Sequence, residues 1–84
     1  MEEKLIGKIT HYYSHLSVGI IELSDVLKAG DTIHIKGHST DFTQPIASMQ
    51  IEHATVQEAG SGDSVGIKVS QKVHENDTVY KVTV

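Results

Sequence analysis

Histidines are the residues of this chain whose type and spacing are best suited to chemistry. Six of the 84 residues are histidines, and two pairs are spaced four apart, His11 with His15 and His34 with His38. On a helix this spacing would bring two imidazoles together as zinc ligands. On an extended strand the same four residues span roughly 13 Å, which is too far for one ion. Whether either pair can bind zinc therefore depends on the element that holds it.

Other groups that could perform catalysis are missing or badly placed. The sequence has no cysteine, no Gly-x-Ser-x-Gly motif and no pair of carboxylates in a setting that would form a pocket. It also lacks the Gly-x-x-x-x-Gly-Lys-Ser/Thr motif of nucleotide-binding loops. We therefore expect a protein that is not an enzyme and that has no cofactor and no bound metal.

Alternating apolar and polar residues predict β-strands along most of the chain, and helical periodicity never exceeds one turn. A single helical turn is predicted at 24–28, with Ser24 as its N-cap and Gly30 as its terminator. In the long segment 42–58 the alternation changes phase, which predicts a bulged strand wrapping around a barrel. The residues expected to share a face within the other strands are Leu5, Gly7 and Ile9; Leu16, Val18 and Ile20; Ile33 and Ile35; Val65, Ile67 and Val69; and Tyr80, Val82 and Val84.

An acidic turn precedes three of these strands. Gly-Asp or Asn-Asp, then Thr or Ser, then an alternating strand, occurs in AGDTIHIKG (29–37), SGDSVGIKV (61–69) and ENDTVYKV (75–82). Glycine accepts the positive φ that such a turn needs, and asparagine tolerates it well. The aspartate side chain can accept nearby backbone N–H groups. The intervals between the turns are unequal, so they indicate repeated turn chemistry and not a solenoid.

A β protein of this size covers its strand edges best by closing on itself. The chain is therefore predicted to be a single domain, residues 1–84, folded as a six-stranded antiparallel Greek-key closed β-barrel. Such a small barrel fills its interior with side chains and leaves little room for a substrate. Recognition of any partner would then fall to its outer surface.

The charge pattern argues against general binding to nucleic acid. The net charge is −4 with neutral histidines, and all seven basic residues are lysines. Sequence-independent affinity comes from cations that meet phosphates, and arginine is the side chain that reads guanine edges. We therefore expect no DNA partner, and any contact with RNA would be local. The acidic start and the absence of an apolar stretch of ~20 residues predict a cytoplasmic protein without a membrane association.

Four short motifs have the order and spacing of a known barrel. They are Gly-x-hydrophobic at 7–9, Lys-x-Gly-Asp-x-hydrophobic-x-hydrophobic-x-Gly at 28–37, hydrophobic-x-Ser-hydrophobic at 46–49 and Gln-Glu-x-x-x-Gly-Asp-x-Val-Gly at 57–66. With these motifs the chain resembles, over nearly its whole length, the second-domain β-barrel of the translational GTPases, the elongation and initiation factors. The resemblance implies that the barrel is of the elongation factor domain 2 type.

The same resemblance implies a binding site. In the tRNA-delivering factors, the position matched by Glu58 lines the pocket for the terminal adenosine, and the position matched by Ser64 lies beside it. The segment HYYSHLSVGIIEL (11–23) is at least as similar to the barrel that ends some collagenase-like peptidases. That second resemblance implies contact with a protein and not with RNA.

Aromatic side chains supply the remaining candidates. In HYYSH (11–15) one of two neighbouring tyrosines must face outward if the segment is a strand. An outward ring could stack on a base or anchor a protein partner, which makes Tyr12 and Phe42 candidate binding residues. The leading hypothesis is a non-catalytic binding module associated with RNA or the translation machinery. The alternative is a protein-interaction adaptor, equivalent to the C-terminal barrel of collagenase-like peptidases, that acts on a partner enzyme in trans.

Overall fold

The computed structural model describes residues 2–83, and every regular element in that range is a β-strand. Over the same residues no helix is long and apolar enough to cross a membrane. The strands are β1 (Glu2–Tyr13), β2 (Val18–Leu23), β3 (Leu27–Lys28), β4 (Thr32–Lys36), β5 (Asp41–Pro45), β6 (Met49–Ile51), β7 (Ala54–Val56), β8 (Glu58–Ala59), β9 (Ser64–Lys68) and β10 (Thr78–Thr83).

Eight strands form one sheet, and the other two form a small separate ladder. The large sheet has the order β5-β4-β10-β1-β2-β9-β6-β7, and β3 pairs with β8. Every pairing is antiparallel. The prediction of an all-β antiparallel fold is confirmed, whereas the predicted number of six strands is wrong.

Two segments account for the additional strands. Residues 24–28, predicted as a helical turn, contain β3, whose pairing with β8 satisfies backbone groups that one isolated helical turn would leave free. The segment 42–58, predicted as one bent strand, takes part in four short strands, β5 to β8, and the break between β6 and β7 is a tight turn at Glu52 and His53. Their φ values are 50° and 69°, and two consecutive positive φ values match the turn that joins a two-residue hairpin, here β6–β7.

The sheet curls around its core without closing into a barrel. Its edges are β5 and β7, and no backbone ladder joins these two strands within residues 2–83. Pro45, which ends β5, has no N–H to offer a further strand. The Gln44 side chain instead donates to the Lys68 carbonyl at 2.9 Å and accepts the Ser70 N–H at 2.8 Å. The predicted closed barrel is therefore corrected to an open, strongly curved sheet. We call the line along which β5 lies against residues 68–70 the seam, and the Gln44 side chain bridges it.

A β-bulge sets which residues of β1 are buried. The register between β1 and β10 slips between Leu5 and Gly7, and this slip turns Ile6 into the core. Leu5 is left 52% exposed, so it does not share the buried face of Gly7 and Ile9 as the alternation predicted. Gly7 has to be small, because a Cβ at this position would lie 2.5 Å from the backbone oxygen of Glu22.

Strand β2 has apolar residues on both of its faces. Val18 and Ile20 share a face, as predicted, but this face is the outer one and both residues are half-buried. Leu16 lies in the turn before the strand and is exposed. Alternation alone could not select the core face, because either choice buries aliphatic side chains. The residues of β2 that are buried are Gly19, Ile21 and Leu23.

The three acidic turns have the same geometry, as their sequence predicted. In each four-residue turn the aspartate carboxylate accepts the backbone N–H of the first residue, at 2.9, 2.9 and 2.8 Å. The residue before each aspartate has a positive φ, namely 96° for Gly30, 91° for Gly62 and 72° for Asn76. The turns are residues 28–31, 60–63 and 74–77. Each one starts the strand that follows it: β4, β9 and β10.

A single hydrophobic cluster fills the concave side of the sheet. The prediction is confirmed for β4, where Ile33 and Ile35 are buried, and for β9 and its end, where Val65, Ile67 and Val69 are buried. In β10 the buried residue is Val79, while Tyr80 and Val82 are half-buried and Val84 lies outside the described residues. The cluster consists of Ile6, Ile9, Ile21, Leu23, Leu27, Ile33, Ile35, Phe42, Ile46, Met49, Ala59, Val65, Ile67, Val69, Val73 and Val79.

Candidate functional site

An open groove on the convex side of the sheet is the best candidate for a functional site. It crosses β2, β9 and the β6–β7 hairpin, and its volume is about 570 Å³. We call it the Gly66 groove, after the residue at its floor. Its lining consists of Tyr13, His15, Leu16, Val18, Ile20, Gln50, Glu52, His53, Ser64 and Gly66.

The floor of the groove is low because Gly66 has no side chain. Gly66 pairs with Ile20 of β2 on one side and with Gln50 of β6 on the other. Paired residues of antiparallel strands point to the same face, so the neighbouring side chains stand around an empty position. A Cβ at Gly66 would lie 3.4 Å from Ile20 Cδ1 and 3.5 Å from Val18 Cγ1, which are ordinary contacts. The groove therefore has room for side-chain atoms from another molecule.

The β1–β2 hairpin provides an apolar wall. Tyr13 ends β1 opposite Val18, and the turn 14–17 presents Leu16 at the top of the wall. The exposed fractions are 44% for Tyr13 and 56% for Leu16, two of the four large apolar residues that are exposed within residues 2–83. The turn is fixed by a bond from the Leu16 N–H to the Tyr13 carbonyl at 3.1 Å and by the positive φ of Ser17, 56°.

The opposite rim is polar and nearly neutral. The tight turn of β6–β7 places Glu52 and His53 at the groove, and His15 lies on the other hairpin. No lysine or arginine belongs to the lining as the structure describes it. The groove can therefore hold an apolar group with a few hydrogen-bonding neighbours, but it is not built to bind a phosphate.

The two residues implied by the translation-factor resemblance are not part of one site. Ser64 lies in the Gly66 groove, opposite Glu22 of β2. Glu58 lies on β8 and does not line the groove, and its Oε1 is 3.9 Å from Nζ of Lys28. Their roles in binding stay predictions, since the structure holds no ligand that would test them.

The aromatic candidates differ from their predicted placement. Phe42 is 8% exposed and belongs to the core, because it pairs with the buried Ile35 and shares its inward face. The predicted outward ring of Phe42 is therefore wrong. Tyr12 is half-buried and packs against the core, and the tyrosine that faces outward is Tyr13. The sequence analysis did not predict the groove. The available signal was Gly66, which lies between Val65 and a second aliphatic residue of the strand, because a glycine inside a strand often marks a close approach to the backbone.

His34 is held by carboxylates and not by the histidine four residues away. Its Nδ1 lies 2.8 Å from Glu3 Oε2, and its Nε2 lies 2.5 Å from Asp41 Oδ1. Asp41 and then Glu3 accept these N–H groups and raise the pKa of His34, while His34 lowers the pKa of Asp41. Both ring nitrogens are thus occupied by protein groups. Among residues 2–83 no cluster of three possible ligands could hold a metal ion.

One threonine, one histidine and one aspartate come close together, but not as a catalytic triad. Thr40 Oγ1 lies 3.1 Å from His74 Nδ1, and Asp77 Oδ2 lies 3.8 Å from the same nitrogen. A triad needs the nucleophile and the carboxylate on opposite nitrogens of the imidazole. Asp77 instead accepts the backbone N–H of His74 at 2.8 Å, so the group stabilises a turn.

The chain is similar in sequence to part of three much longer proteins. No protein-family model matches the chain. An uncharacterised protease of Methanocaldococcus jannaschii is 43% identical over 76 residues, which is 89% of this chain and 19% of that protein. Two collagenases of Porphyromonas gingivalis are 33% and 35% identical over 82 and 78 residues, which is 95% and 90% of this chain and 23% and 19% of theirs.

A solved structure shows the same fold. The C-terminal domain of a Geobacillus thermoleovorans protein named as a U32 peptidase superimposes with a TM-score of 0.89 over 95% of this chain and 93% of that one, at 18% identity. A selenomethionine variant of that domain gives a TM-score of 0.86 over 90% of this chain and 96% of its own. The resemblance to the translation-factor domain is not shown by these matches.

The chain therefore spans about a fifth of the length of the curated relatives that it matches. Its relatives are a protease and two collagenases, and its fold is that of a domain found at the C-terminal end of a U32 peptidase-like protein.

Proposed function

We propose that this chain is a non-catalytic protein-interaction domain that works with the body of a collagenase-like peptidase. The observation that carries the proposal is the pattern of coverage: about nine tenths of the chain match only a fifth of each relative. Four fifths of those proteins lie outside the match and are available to hold the catalytic groups.

The side chains of the domain support a role without catalysis. Both ring nitrogens of His34 are bonded to carboxylates, so neither is left to take a proton from a nucleophile, and the Thr40, His74 and Asp77 group has the wrong geometry for proton relay. The Gly66 groove combines an apolar wall with a polar, nearly neutral rim, and an apolar centre inside a polar rim is the arrangement of protein interfaces. These features support the hypothesis of a protein-interaction adaptor.

A role near RNA has less to support it. The chain has no arginine and a net charge of −4, and the groove lining has no cationic side chain in the described part of the chain. Binding to single-stranded RNA combines aromatic platforms with a positively charged path for the backbone. Tyr13 could serve as such a platform, but the path is lacking around it.

The test compares the domain alone with an intact relative. The 84-residue chain and the M. jannaschii protease are incubated with gelatin and casein under the same conditions. A chimera is then made in which the 84 residues replace the matched segment of the protease. We expect no cleavage by the chain alone and cleavage by the chimera. Cleavage by the chain alone would contradict the non-catalytic role, and a folded, inactive chimera would contradict its partnership with the peptidase body.

A further inference from the structure

We infer that the Gly66 groove is the surface that docks on the peptidase body, and that it receives a large apolar side chain projecting from that body. This inference rests on the proposed function and specifies its contact. The occupant is part of a protein that is joined to a domain of this kind in the relatives, where some four fifths of the chain lie outside the matched segment.

The first argument is the distribution of exposed apolar side chains. Tyr13 and Leu16 are 44% and 56% exposed, and Val18 and Ile20 beside them are only half-buried. Together with Gly66 they form one continuous apolar surface around a concave floor. Single exposed apolar residues need no explanation, but these four lie together around one cavity.

The second argument is the shape of the floor. Gly66 leaves its position on the floor without a side chain, and an added Cβ would be in van der Waals contact with Ile20 and Val18, which form the near wall of the groove. A groove of about 570 Å³ is large enough for an aromatic or long aliphatic side chain with its neighbours. Anchors of this kind, seated in a pocket and surrounded by weaker contacts, supply most of the energy of protein interfaces.

The third argument is charge. The lining contains one carboxylate, Glu52, and two imidazoles, His15 and His53, and the charged residues that flank the floor have opposite signs, Glu22 and Lys68. A nucleic acid or an anionic membrane would need a positive surface. A neutral apolar protein segment, with backbone groups that can bond to the two imidazoles, fits this surface better.

The experiment uses the chimera of the M. jannaschii protease with the 84-residue chain, and two single variants of it. Leu16→Glu places a charge on the wall of the groove. Leu5→Glu is its matched control, because Leu5 is 52% exposed and apolar but lies outside the groove. A charge on the wall that surrounds the seated side chain is expected to lower the docking equilibrium constant about 30-fold, as does the loss of a central apolar contact in other interfaces. Leu16→Glu should therefore lower the melting temperature of the chimera by several degrees and Leu5→Glu should not.

Both variants are also measured in the isolated 84-residue chain, where neither should change the melting temperature appreciably. If Leu16→Glu lowers the melting temperature of the isolated chain as much as that of the chimera, Leu16 stabilises the fold and not the docking. If Leu16→Glu and Leu5→Glu have equal effects in the chimera, docking does not use the groove. If the chimera does not accumulate, the same substitutions are made at the aligned positions of the intact protease, with the same expectation. Sedimentation of the isolated chain as a dimer that Leu16→Glu dissociates would also overturn the inference, since a second copy would then be the occupant.

These outcomes separate the inference from the proposed function. A chimera that cleaves gelatin but is insensitive to Leu16→Glu would reject the groove as the docking surface and leave the function in place. A folded chimera that does not cleave would reject both.

Discussion

The groove and the opposite end of the sheet are stabilised in different ways. At the β4–β5 end, which comprises β4, β5 and the loop 37–40, side chains are paired within the chain: His34 with two carboxylates and Gln44 with two backbone groups. Within residues 2–83 no side chain of the Gly66 groove takes part in these hydrogen bonds, and the one groove atom involved is the backbone carbonyl of Ile20, which accepts from Thr10 Oγ1 at 3.4 Å. One region satisfies its own polar groups, and the other keeps its groups available for contact.

This contrast indicates where the molecule tolerates change. A region held by specific internal bonds should lose stability when its side chains are altered. A region used for contact should lose binding while its fold is preserved. The substitutions below test this difference, beginning with the largest expected effect.

Gly37→Ala should be the most damaging change at the β4–β5 end. A Cβ at Gly37 would overlap the carboxylate of Asp77, which is buried and bound to the His74 N–H. We expect a loss of about 3 kcal/mol in the free energy of unfolding, as in other overpacked sites. Urea unfolding followed by circular dichroism measures it. The control is Gly60→Ala, where a Cβ meets no atom within 4 Å, so similar losses for both would refute the clash.

Gln44→Ala should open the seam of the sheet. The substitution removes the bonds to the Lys68 carbonyl and the Ser70 N–H, and water can replace them only in part. The expected cost is about 1–2 kcal/mol in the free energy of unfolding. Amide hydrogen exchange should also become faster at Ser70. Gln50→Ala, on the rim of the groove, is the matched control. An equal loss of stability in Gln50→Ala would show that the two bonds of Gln44 do not stabilise the seam.

His34 should make the stability of the chain depend on pH. Because its pKa is raised in the fold, its stabilising contribution is complete below the ordinary value of 6.5 and is lost as pH rises through the raised pKa. Because the pKa of Asp41 is lowered, its contribution is present above 3.8 and is lost as pH falls further. The arrangement of His34 between Glu3 and Asp41, which we call the clamp, is therefore strongest between these two values.

Thermal unfolding at a series of pH values measures this dependence. The melting temperature of the wild type should decline as pH rises above 6.5, and His34→Gln should remove most of that decline. His38→Gln, at an exposed position in the neighbouring loop, serves as the control. Parallel profiles for the wild type and His34→Gln would show that the clamp does not titrate in this range.

Gly66→Val should have the smallest effect on stability and a clear effect on docking. The Cβ that it adds meets Ile20 and Val18 at van der Waals distance, and the nearest backbone atom among its neighbours is the Gln50 oxygen at 3.9 Å. We expect the free energy of unfolding to change by less than about 1 kcal/mol, as for other surface sites. Gly66→Val in the chimera with the M. jannaschii protease should nevertheless lower the melting temperature, as Leu16→Glu does. A variant that unfolds in isolation would show that Gly66 is required by the fold.

The sequence predicted the parts of the fold that depend on local chemistry. The acidic turns follow from glycine or asparagine before aspartate, and the structure gives all three the same bond. The buried residues of β4 and β9 follow from strict alternation next to those turns. In both cases the determining groups lie within a few residues of each other.

The parts that the sequence did not predict depend on pairing between distant residues. The bulge at Ile6 arises from the register between β1 and β10, which are almost a chain length apart. The outward face of Val18 and Ile20 depends on β9, and the groove needs Gly66 to meet both neighbours. Phe42 is buried through its pairing with Ile35, which belongs to another strand. Local alternation carries no information on such contacts.

The most direct measurement of the central claim is the reactivity of the groove histidines toward diethylpyrocarbonate, read by mass spectrometry. His15 and His53 line the groove, while His38 is exposed in the loop between β4 and β5, away from it. The account predicts that, on going from the isolated 84-residue chain to the intact chimera, His15 and His53 become several-fold less reactive and His38 does not change. Equal reactivity of His15 and His53 in both proteins would contradict docking through the Gly66 groove.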